Sequence, residues 1–335
     1  MQFLIVKLSS LGDILAAYKF PFWIKSLYPQ ASVDWVIDSR FASFFLDHPL
    51  IDQVIPFDTR RLKKGKIPFR QIQEFRKKRY DLVIDLQGNC KSGLFTLLAK
   101  ASRKAGYDYH SLAEWPNLLA TRERIRIDTS QALFKQYEDF FNQLFKCVLN
   151  SNEGFFRSQP VRLKKELHFM VCPGSNWINK TLSEEDLILF LDQISEKFDP
   201  RFVFTYGNEK EEELINRLKA RFTKSEAYGR LSLSFWSSLI DQVDLVISVD
   251  SASLQLAGLS KTPIFALFGP SSSKVYLPRE KDALAYQGSC PYKIQFEKRC
   301  PHLRSCSSGD CLRKVDVEKL FDTFQTFFSN FSKSM

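Results

Sequence analysis

Long hydrophobic runs are missing from this chain of 335 residues. No apolar stretch approaches the roughly 20 residues that a membrane-spanning helix needs, so the sequence predicts no transmembrane segment. The first residues, Met1-Gln2-Phe3, also lack the positively charged head of a secretory signal peptide. We therefore expect a cytoplasmic protein, in a compartment that keeps thiols reduced.

Cysteine pairs at metal-binding spacing are also lacking. Four of the seven cysteines fall in one short segment, separated by nine, five and four residues: Cys290, Cys300, Cys306 and Cys311. None of these gaps is the two-residue gap that is typical of zinc sites. A metal site that includes His302, or a disulfide, stays an alternative, but we expect no metal and a structural loop with reduced thiols.

Acidic residues are scarce between Arg60 and Arg79. This window holds ten Lys or Arg and one acid, Glu74, so it carries +9 of the formal net charge of +10. Such a cluster attracts phosphate-rich partners, which are nucleic acid, an anionic membrane face or a phosphorylated glycolipid. The plain alternative is a solvated helix face.

Short apolar runs alternate with helical patterns through most of the chain. This alternation predicts an α/β fold with parallel sheets that are wrapped by helices. Residues 150–165 are polar and without periodicity, so we place a domain boundary there. The predicted domains are 1–155 and 156–314, followed by a C-terminal helix in 315–335 for which packing against the first domain is one open arrangement. Residues 106–114 and 274–314 are expected to form loops.

The stretch 245–258 begins as a buried strand and changes to a short helical pattern after Asp250-Ser251. Free backbone N–H groups at such a helix start favour anions, so this turn is a candidate phosphate site. An ordinary strand-to-helix connection is the alternative. A second strand–turn–helix pattern places Gly12 and Asp13 at the opening of the first helix. Two similar halves with loops at their strand ends predict an active cleft between them.

Five motifs, in this order, resemble those of the bacterial lipopolysaccharide heptosyltransferases, glycosyltransferase family 9, and are most similar to the heptosyltransferase I type. They lie at 5–15, at 83–92, at 173–180, at 206–211 and at 248–270. The resemblance implies the GT-B architecture, in which two Rossmann-like domains with parallel sheets face a central cleft. The first domain would bind the acceptor and the second the nucleotide-sugar donor.

The resemblance also implies a reaction. Enzymes of this family invert the anomeric centre while they move heptose from ADP-heptose to the Kdo sugar, or to a preceding heptose, of the lipopolysaccharide inner core. No cofactor or metal is implied. The anionic Kdo-lipid A acceptor lies at the cytoplasmic face of the inner membrane, so peripheral membrane contact is expected and the basic window gains a partner.

Residue roles follow from the same resemblance. Asp13 matches the general base for the acceptor hydroxyl, although capping of its helix is the alternative. Lys180 matches the cation that stabilises the departing diphosphate, with a surface lysine as the alternative. Glu211 matches the acid that binds the ribose hydroxyls, with a helix-start dipole interaction as the alternative. Leu231 matches the adenine pocket.

The full set of implied contacts has two parts. The donor-binding residues are Gly12, Ser175, Asn176, Lys180, Glu211, Leu231, Asp250, Ser251, Ala252 and Gln255. The acceptor-binding residues are Ser10, Arg60, Arg61, Lys63, Lys64, Gln87, Lys91 and Glu114.

Three positions depart from the family pattern. Ala252 stands where the family has Gly, Gln255 where it has His, and Ala113 where a basic residue is expected. A transferase that uses another nucleotide-sugar, and a catalytically silent lipopolysaccharide-binding relative, therefore stay open. A nucleic-acid-binding protein ranks last, because the basic window contains only Phe69 and Phe75 for base stacking.

Overall fold

The computed structural model describes residues 1–46, 49–60, 72–73, 76–149 and 166–332. The chain divides into two compact units, Met1–Phe155 and Phe156–Met335. Three of the implied acceptor contacts, Arg61, Lys63 and Lys64, and the polar segment 150–165 lie outside the described residues. Among the described helices, none combines the length and the apolar character that crossing a bilayer requires.

The first unit is built on a six-stranded parallel sheet with the order β3-β2-β1-β4-β5-β6. Its strands are β1 (Gln2–Val6), β2 (Ser32–Asp38), β3 (Gln53–Phe57), β4 (Arg79–Asp85), β5 (Lys100–Tyr107) and β6 (Glu123–Ile125). Its described helices include α1 (Leu11–Ala16), α2 (Lys19–Leu27), α3 (Ser39–Ala42), α4 (Cys90–Leu98) and α5 (Leu133–Phe145), with 3-10 helices at Ser43–Phe45 and Trp115–Leu119.

The second unit repeats this layout with the strand order β12-β11-β10-β7-β8-β9, again all parallel. Its strands are β7 (His168–Cys172), β8 (Arg201–Tyr206), β9 (Ser225–Gly229), β10 (Leu245–Val249), β11 (Ile264–Phe268) and β12 (Ala283–Gln287). Its helices are α6 (Glu184–Phe198), α7 (Glu209–Arg221), α8 (Leu233–Ile240), α9 (Ala252–Ala257), α10 (Ser273–Tyr276), α11 (Asp310–Arg313) and α12 (Val317–Ser332), with a 3-10 helix at Ile178–Lys180. The predicted α/β class with two Rossmann-like units is confirmed.

At the centres of the sheets, the local sequence explains why these strands and helices form where they do. Every residue of β10 and β11 is buried, as expected for strands covered by helices on both faces. Ser183 caps α6 by accepting a hydrogen bond from the backbone N–H of Asp186 at 3.0 Å. Glu184 and Glu185 then place negative charge in the first turn, where the helix dipole favours it.

The sheet edges differ from expectation. The predicted loop at 106–114 starts inside β5, and the predicted loop region 274–314 contains β12. The edge strands β6 and β9 carry no long apolar run either. A strand near an edge is covered less fully and needs fewer apolar residues, so its pattern resembles that of a loop.

The last helix belongs to the second unit. The Phe328 ring lies 4.9 Å from the Phe169 ring of β7, and the Phe324 ring lies 5.6 Å from the Phe190 ring of α6. Phe324 is completely buried and forms part of the hydrophobic core of this unit. The aromatic face of α12 therefore completes the core of the second unit.

Strand order determines where loops of interest converge. In each sheet the order reverses between two adjacent central strands, β1 and β4 in the first and β7 and β10 in the second. Ligands of open parallel sheets bind outside the carboxyl ends of the strands at such a switch point. The segments that carry Asp13, Gln87, Lys180 and Asp250 each follow one of these four strands.

Replacement of Phe324 with Ala tests the assignment of α12 to the second core. Loss of a fully buried ring should lower the free energy of unfolding by about 3–5 kcal/mol, measured by urea denaturation. Phe235→Ala is the control, because that ring is half exposed on α8. An equally large loss in both variants would contradict the packing described for α12.

Candidate functional site

The turn between β1 and α1 holds Asp13 through its neighbour Ser10. The backbone N–H and the hydroxyl of Ser10 donate to Asp13 Oδ2 at 3.0 and 2.8 Å. This is a capping box, so the helix-capping role considered for Asp13 is present. The side chain stays partly exposed. Capping orients the carboxylate without burying it, which leaves it accessible for chemistry at the end of β1.

Gln87 ties the switch-point strands of the first unit together. Its Oε1 accepts from the backbone N–H groups of Leu8 and Ser9, each at 3.1 Å. In addition, the buried Lys7 donates from Nζ to the carbonyl oxygen of Leu86 at 2.8 Å. The sequence suggested acceptor binding for Gln87, and the described contacts add a second role, which is to hold the segment that leads to Asp13.

The carboxylate of Asp85 lies beneath Gln87 and is completely buried. Its Oδ1 accepts from the backbone N–H groups of Gln87 and Gly88 at 2.9 and 3.0 Å. Its Oδ2 accepts from Thr96 Oγ1 at 3.1 Å and from Asn117 Nδ2 at 2.7 Å. Sequence reasoning missed this network, although an acid that ends an apolar strand just before Gln-Gly was a visible signal.

Gly88 positions Glu114. Gly88 has a φ of 68°, and a Cβ at this position would lie 3.0 Å from the Tyr107 ring. Its carbonyl oxygen accepts from the backbone N–H of Glu114 at 3.0 Å. The Glu114 carboxylate accepts in turn from the Cys90 N–H at 2.8 Å. Hydrogen bonds from the Cys90 thiol and N–H, with the nearby charge of Lys91, lower the pKa of Glu114.

Basic side chains near β2 and β3 are only partly described. Asp38 at the end of β2 is buried, which would raise its pKa, but hydrogen bonds from Arg40 and Thr59 outweigh the burial and lower it. Arg40 is a cation that sequence reasoning missed. Arg60 forms an exposed ion pair of 3.4 Å with Asp58. The candidates Arg61, Lys63 and Lys64 have no described position.

Two predicted donor residues of the second unit meet directly. Lys180 Nζ donates to Asp250 Oδ2 at 2.5 Å, across 70 residues of sequence. Lys180 follows β7 and Asp250 follows β10, so the pair lies at the switch point of this sheet. Lys180 is buried, which contradicts its interpretation as a surface lysine. Asp250 therefore has a role that the phosphate-turn pattern did not show, as the partner that orients the lysine.

The Glu211 carboxylate lies against two glycines. Its Oε2 accepts from the backbone N–H of Gly207 at 2.7 Å. A Cβ on Gly174 would approach Glu211 Cδ to 2.3 Å, so only glycine lets the carboxylate lie beside the turn after β7. Ser175 follows in this turn, where its hydroxyl accepts from the Trp177 N–H at 3.3 Å, and Asn176 is exposed beside it. The structure thus gathers Glu211, Ser175 and Asn176 at one edge.

The other predicted donor-binding residues of the second unit do not lie beside Glu211 in the described contacts. Gln255 is buried and its Nε2 donates to the carbonyl oxygen of Tyr276 at 2.8 Å, which ties α9 to α10. The hydroxyls of Ser251 and Ser253 are hydrogen-bonded to each other at 2.7 Å, and Ala252 begins α9. Leu231 lies just after β9, and two strands, β7 and β8, separate β9 from β10 in the sheet.

The clustered cysteines are free thiols, as are the other three. Over the described part of the chain, no group of three or more His, Cys, Asp or Glu side chains is arranged to hold a metal. Burial raises the pKa of Cys311 to about 11, with smaller contributions from the neighbouring thiols. The pKa of Cys306 is instead lowered, because the Gly309 N–H donates to its sulfur at 3.4 Å.

Comparison with known proteins identifies relatives that match most of the chain. The model of glycosyltransferase family 9 (heptosyltransferase) matches residues 69–304. Lipopolysaccharide heptosyltransferase 1 of Campylobacter coli is 26% identical over 295 residues, which cover 82% of this chain and 85% of the relative. The Escherichia coli K12 protein of that name is 25% identical over 288 residues, 81% of this chain and 88% of the relative.

Solved structures agree on the fold. The structure of the E. coli heptosyltransferase WaaC with ADP has a TM-score of 0.80 at 21% identity, and the match covers 98% of this chain and all of that chain. The same enzyme with ADP-2-deoxy-2-fluoro heptose has a TM-score of 0.74 at 24% identity, over 86% of this chain and 94% of that chain. The predicted GT-B class is thereby confirmed.

The different environments of Cys306 and Cys311 predict different reactivity. At pH 7, Cys306 has the larger thiolate fraction, so iodoacetamide should alkylate it several-fold faster than Cys311. Mass spectrometry of digests taken over a time course measures both rates in one sample, and Cys306→Ser should remove the fast site alone. Equal labelling of the two thiols would contradict the hydrogen bond described for Cys306.

Proposed function

The chain belongs to glycosyltransferase family 9, and on this premise we propose that it transfers heptose from ADP-heptose to the Kdo or heptose residues of the lipopolysaccharide inner core. The observation that carries this proposal is the placement of the family motifs, four of which include or follow a switch-point strand, while the motif at 206–211 lies at the end of β8. The first unit supplies the base and the acceptor contacts, and the second unit holds the donor. The bound ADP and ADP-2-deoxy-2-fluoro heptose of the WaaC structures support this donor.

The chemistry is a single displacement that inverts the anomeric carbon. The acceptor hydroxyl attacks this carbon, its proton passes to the Asp13 carboxylate, and ADP leaves with the electrons of the glycosidic bond. The contacts with Ser10 support this role for Asp13, because a base with a fixed orientation needs less reorganisation before proton transfer. None of these steps calls for a metal or another cofactor.

The departing diphosphate requires positive charge at the end of β7. An ammonium group has three donors, and one donor of Lys180 is directed to Asp250 in the described contacts. The others can serve phosphate oxygens in a site where burial strengthens electrostatic interactions. Backbone N–H groups at 251 and 252 add to this stabilisation, whereas the Asp250 N–H donates to the Leu267 carbonyl. Glu211, held over Gly174, is suited to accept from the ribose hydroxyls.

The acceptor is anionic and linked to a lipid. Its phosphates and Kdo carboxylates suit the cations Arg60, Arg61, Lys63 and Lys64, of which only Arg60 lies in the described part of the chain. Gln87 lies beside the turn that carries Asp13, and Lys91 lies near Glu114. We place the reaction at the cytoplasmic face of the inner membrane, with peripheral attachment of the enzyme. Nucleic acid is not a partner in this proposal.

Another nucleotide-sugar is the second candidate donor, and Gln255 favours it. Where relatives carry His, this chain has a neutral amide that is committed to the Tyr276 carbonyl, so one cationic contact to the donor is lost. Donor preference is therefore open to direct measurement.

Asp13→Asn tests the base. The substitution preserves the size of the side chain but removes proton acceptance, so kcat should fall by about 10²- to 10⁴-fold while ADP still binds. The readouts are ADP release with ADP-heptose and a Kdo-lipid A acceptor, and calorimetric titration with ADP. Asp199→Asn, at the exposed end of α6, is the matched control and should leave kcat unchanged. Unchanged turnover of Asp13→Asn would remove this mechanism.

A thermal-shift screen tests the donor and Lys180 together. ADP-heptose should raise the melting temperature of the wild-type protein, whereas UDP- and GDP-sugars should not. Lys180→Ala should abolish the shift and lower kcat by about 10²- to 10³-fold, since it removes charge stabilisation of the leaving group. Lys219→Ala, on the exposed face of α7, should retain both. A shift with another nucleotide-sugar alone would replace the proposed donor.

A further inference from the structure

Three large apolar side chains of the first unit are exposed without an evident structural reason. Leu97, Trp115 and Leu119 are 55%, 65% and 76% exposed. Single exposed apolar residues are normal on protein surfaces, but three that share one surface indicate a contact with a partner.

The described contacts place these three residues on two elements that pack against each other. Helix α4 packs against the 3-10 helix Trp115–Leu119, because a Cβ on Gly93 would lie 3.3 Å from Asn117 Cα and 3.7 Å from Ala120 Cβ. Leu97 lies one helical turn after Gly93 and therefore on the same face of α4. Leu97 thus borders the 3-10 helix that carries Trp115 and Leu119.

Basic side chains surround this apolar surface. Lys104 Nζ donates to the Leu97 carbonyl at 2.7 Å, and Arg124 Nη2 donates to the Leu118 carbonyl at 3.3 Å. The Arg122 backbone N–H donates to the Lys104 carbonyl at 3.0 Å, so these two residues are neighbours. We call these residues the edge patch: Leu97, Trp115 and Leu119 with Lys104, Arg122 and Arg124.

The positive charge of the edge patch is not balanced locally. No carboxylate in the described part of the chain forms an ion pair with Lys104, Arg122 or Arg124. The acid that lies between the two arginines in sequence, Glu123, is engaged by Arg103 at 2.6 and 2.7 Å. The patch therefore presents net positive charge around an apolar centre.

We propose that the edge patch docks the first unit on an anionic lipid bilayer. A tryptophan favours the headgroup level, the leucines favour the acyl boundary, and arginine and lysine bind lipid phosphates. A nucleic acid fits less well, because leucine offers no ring on which a base can stack. A second copy of the chain, docked through the same patch, would bring like charges together.

The edge patch also lies next to the proposed acceptor contacts. This second reason for membrane docking rests on the proposed function. Trp115 directly follows Glu114, whose carboxylate is held at the start of α4. A bilayer at the patch would bring the lipid-linked acceptor beside Glu114 and Lys91. Docking itself does not depend on the reaction, so it is measured without it.

Co-sedimentation of the full chain with phosphatidylglycerol/phosphatidylcholine vesicles tests the apolar part. The wild-type protein should bind, and Trp115→Ser/Leu119→Ser should lower the partition coefficient by about tenfold or more. The matched control is Leu189→Ser/Phe235→Ser, which removes two comparably exposed apolar residues from α6 and α8 of the second unit and should bind as wild type. Equal binding of all three proteins would overturn the proposal.

Arg122→Gln/Arg124→Gln tests the basic part. Loss of two charges should weaken binding to these vesicles by about tenfold, and binding of the wild-type protein should fall as salt is raised. The control Lys210→Gln/Lys219→Gln removes two charges from α7 and should have no comparable effect. Binding that is independent of salt and of Arg122 and Arg124 would overturn the proposal.

Two further measurements separate this idea from its rivals. Light scattering after size exclusion should give the same mass for wild type and Trp115→Ser/Leu119→Ser, whereas a mass that falls on substitution would make the patch a protein interface. ADP release with a water-soluble Kdo acceptor should be unchanged in both patch variants. Failure of transfer in the wild-type protein itself would refute the proposed function and leave vesicle binding as a separate result.

Discussion

The buried carboxylate of Asp85 is the interaction on which the first unit depends. A buried charge is costly unless hydrogen bonds satisfy it, and four donors converge on this one. Two of them are backbone N–H groups of the Gln87–Gly88 turn, so the carboxylate determines the shape of that turn. Gln87 then holds the segment before Asp13, and Gly88 holds Glu114. The proposed base and the proposed acceptor contacts thus share one support.

In the second unit an ion pair positions the site residues, whereas in the first unit a single carboxylate with four hydrogen-bond donors does so. Lys180 and Asp250 come from the ends of the two central strands, and each would be costly to bury alone. Their pairing holds the Lys180 ammonium group beside the end of β10. Gly174 contributes in a different way, since its missing side chain leaves the space that the Glu211 carboxylate occupies.

Much of this could be predicted from sequence. The central strands β1, β4, β7 and β10 are apolar runs that can be recognised in the sequence. Because the strands are parallel, the turns that follow them lie at one edge of each sheet. Three edge strands, β6, β9 and β12, were missed because partial burial requires no apolar run. The partners of the site residues were missed for another reason. Lys180 binds Asp250 across 70 residues of sequence, and Asn117 binds Asp85 across 32 residues. The local sequence pattern does not predict contacts between such distant residues.

Asn117 connects the site with the edge patch. It lies inside the 3-10 helix between Trp115 and Leu119, and its side-chain amide donates to Asp85 and to the Asn89 carbonyl. An apolar pair at 85 and 117 would remove both partners of one buried contact, but it would leave the N–H groups of Gln87 and Gly88 and the Thr96 hydroxyl without their acceptor. It would also release the Gln87 turn and leave the 3-10 helix without a directional bond to Asp85. The polar centre therefore satisfies these donors and keeps the proposed acceptor contacts in register with the surface that we propose to meet the membrane.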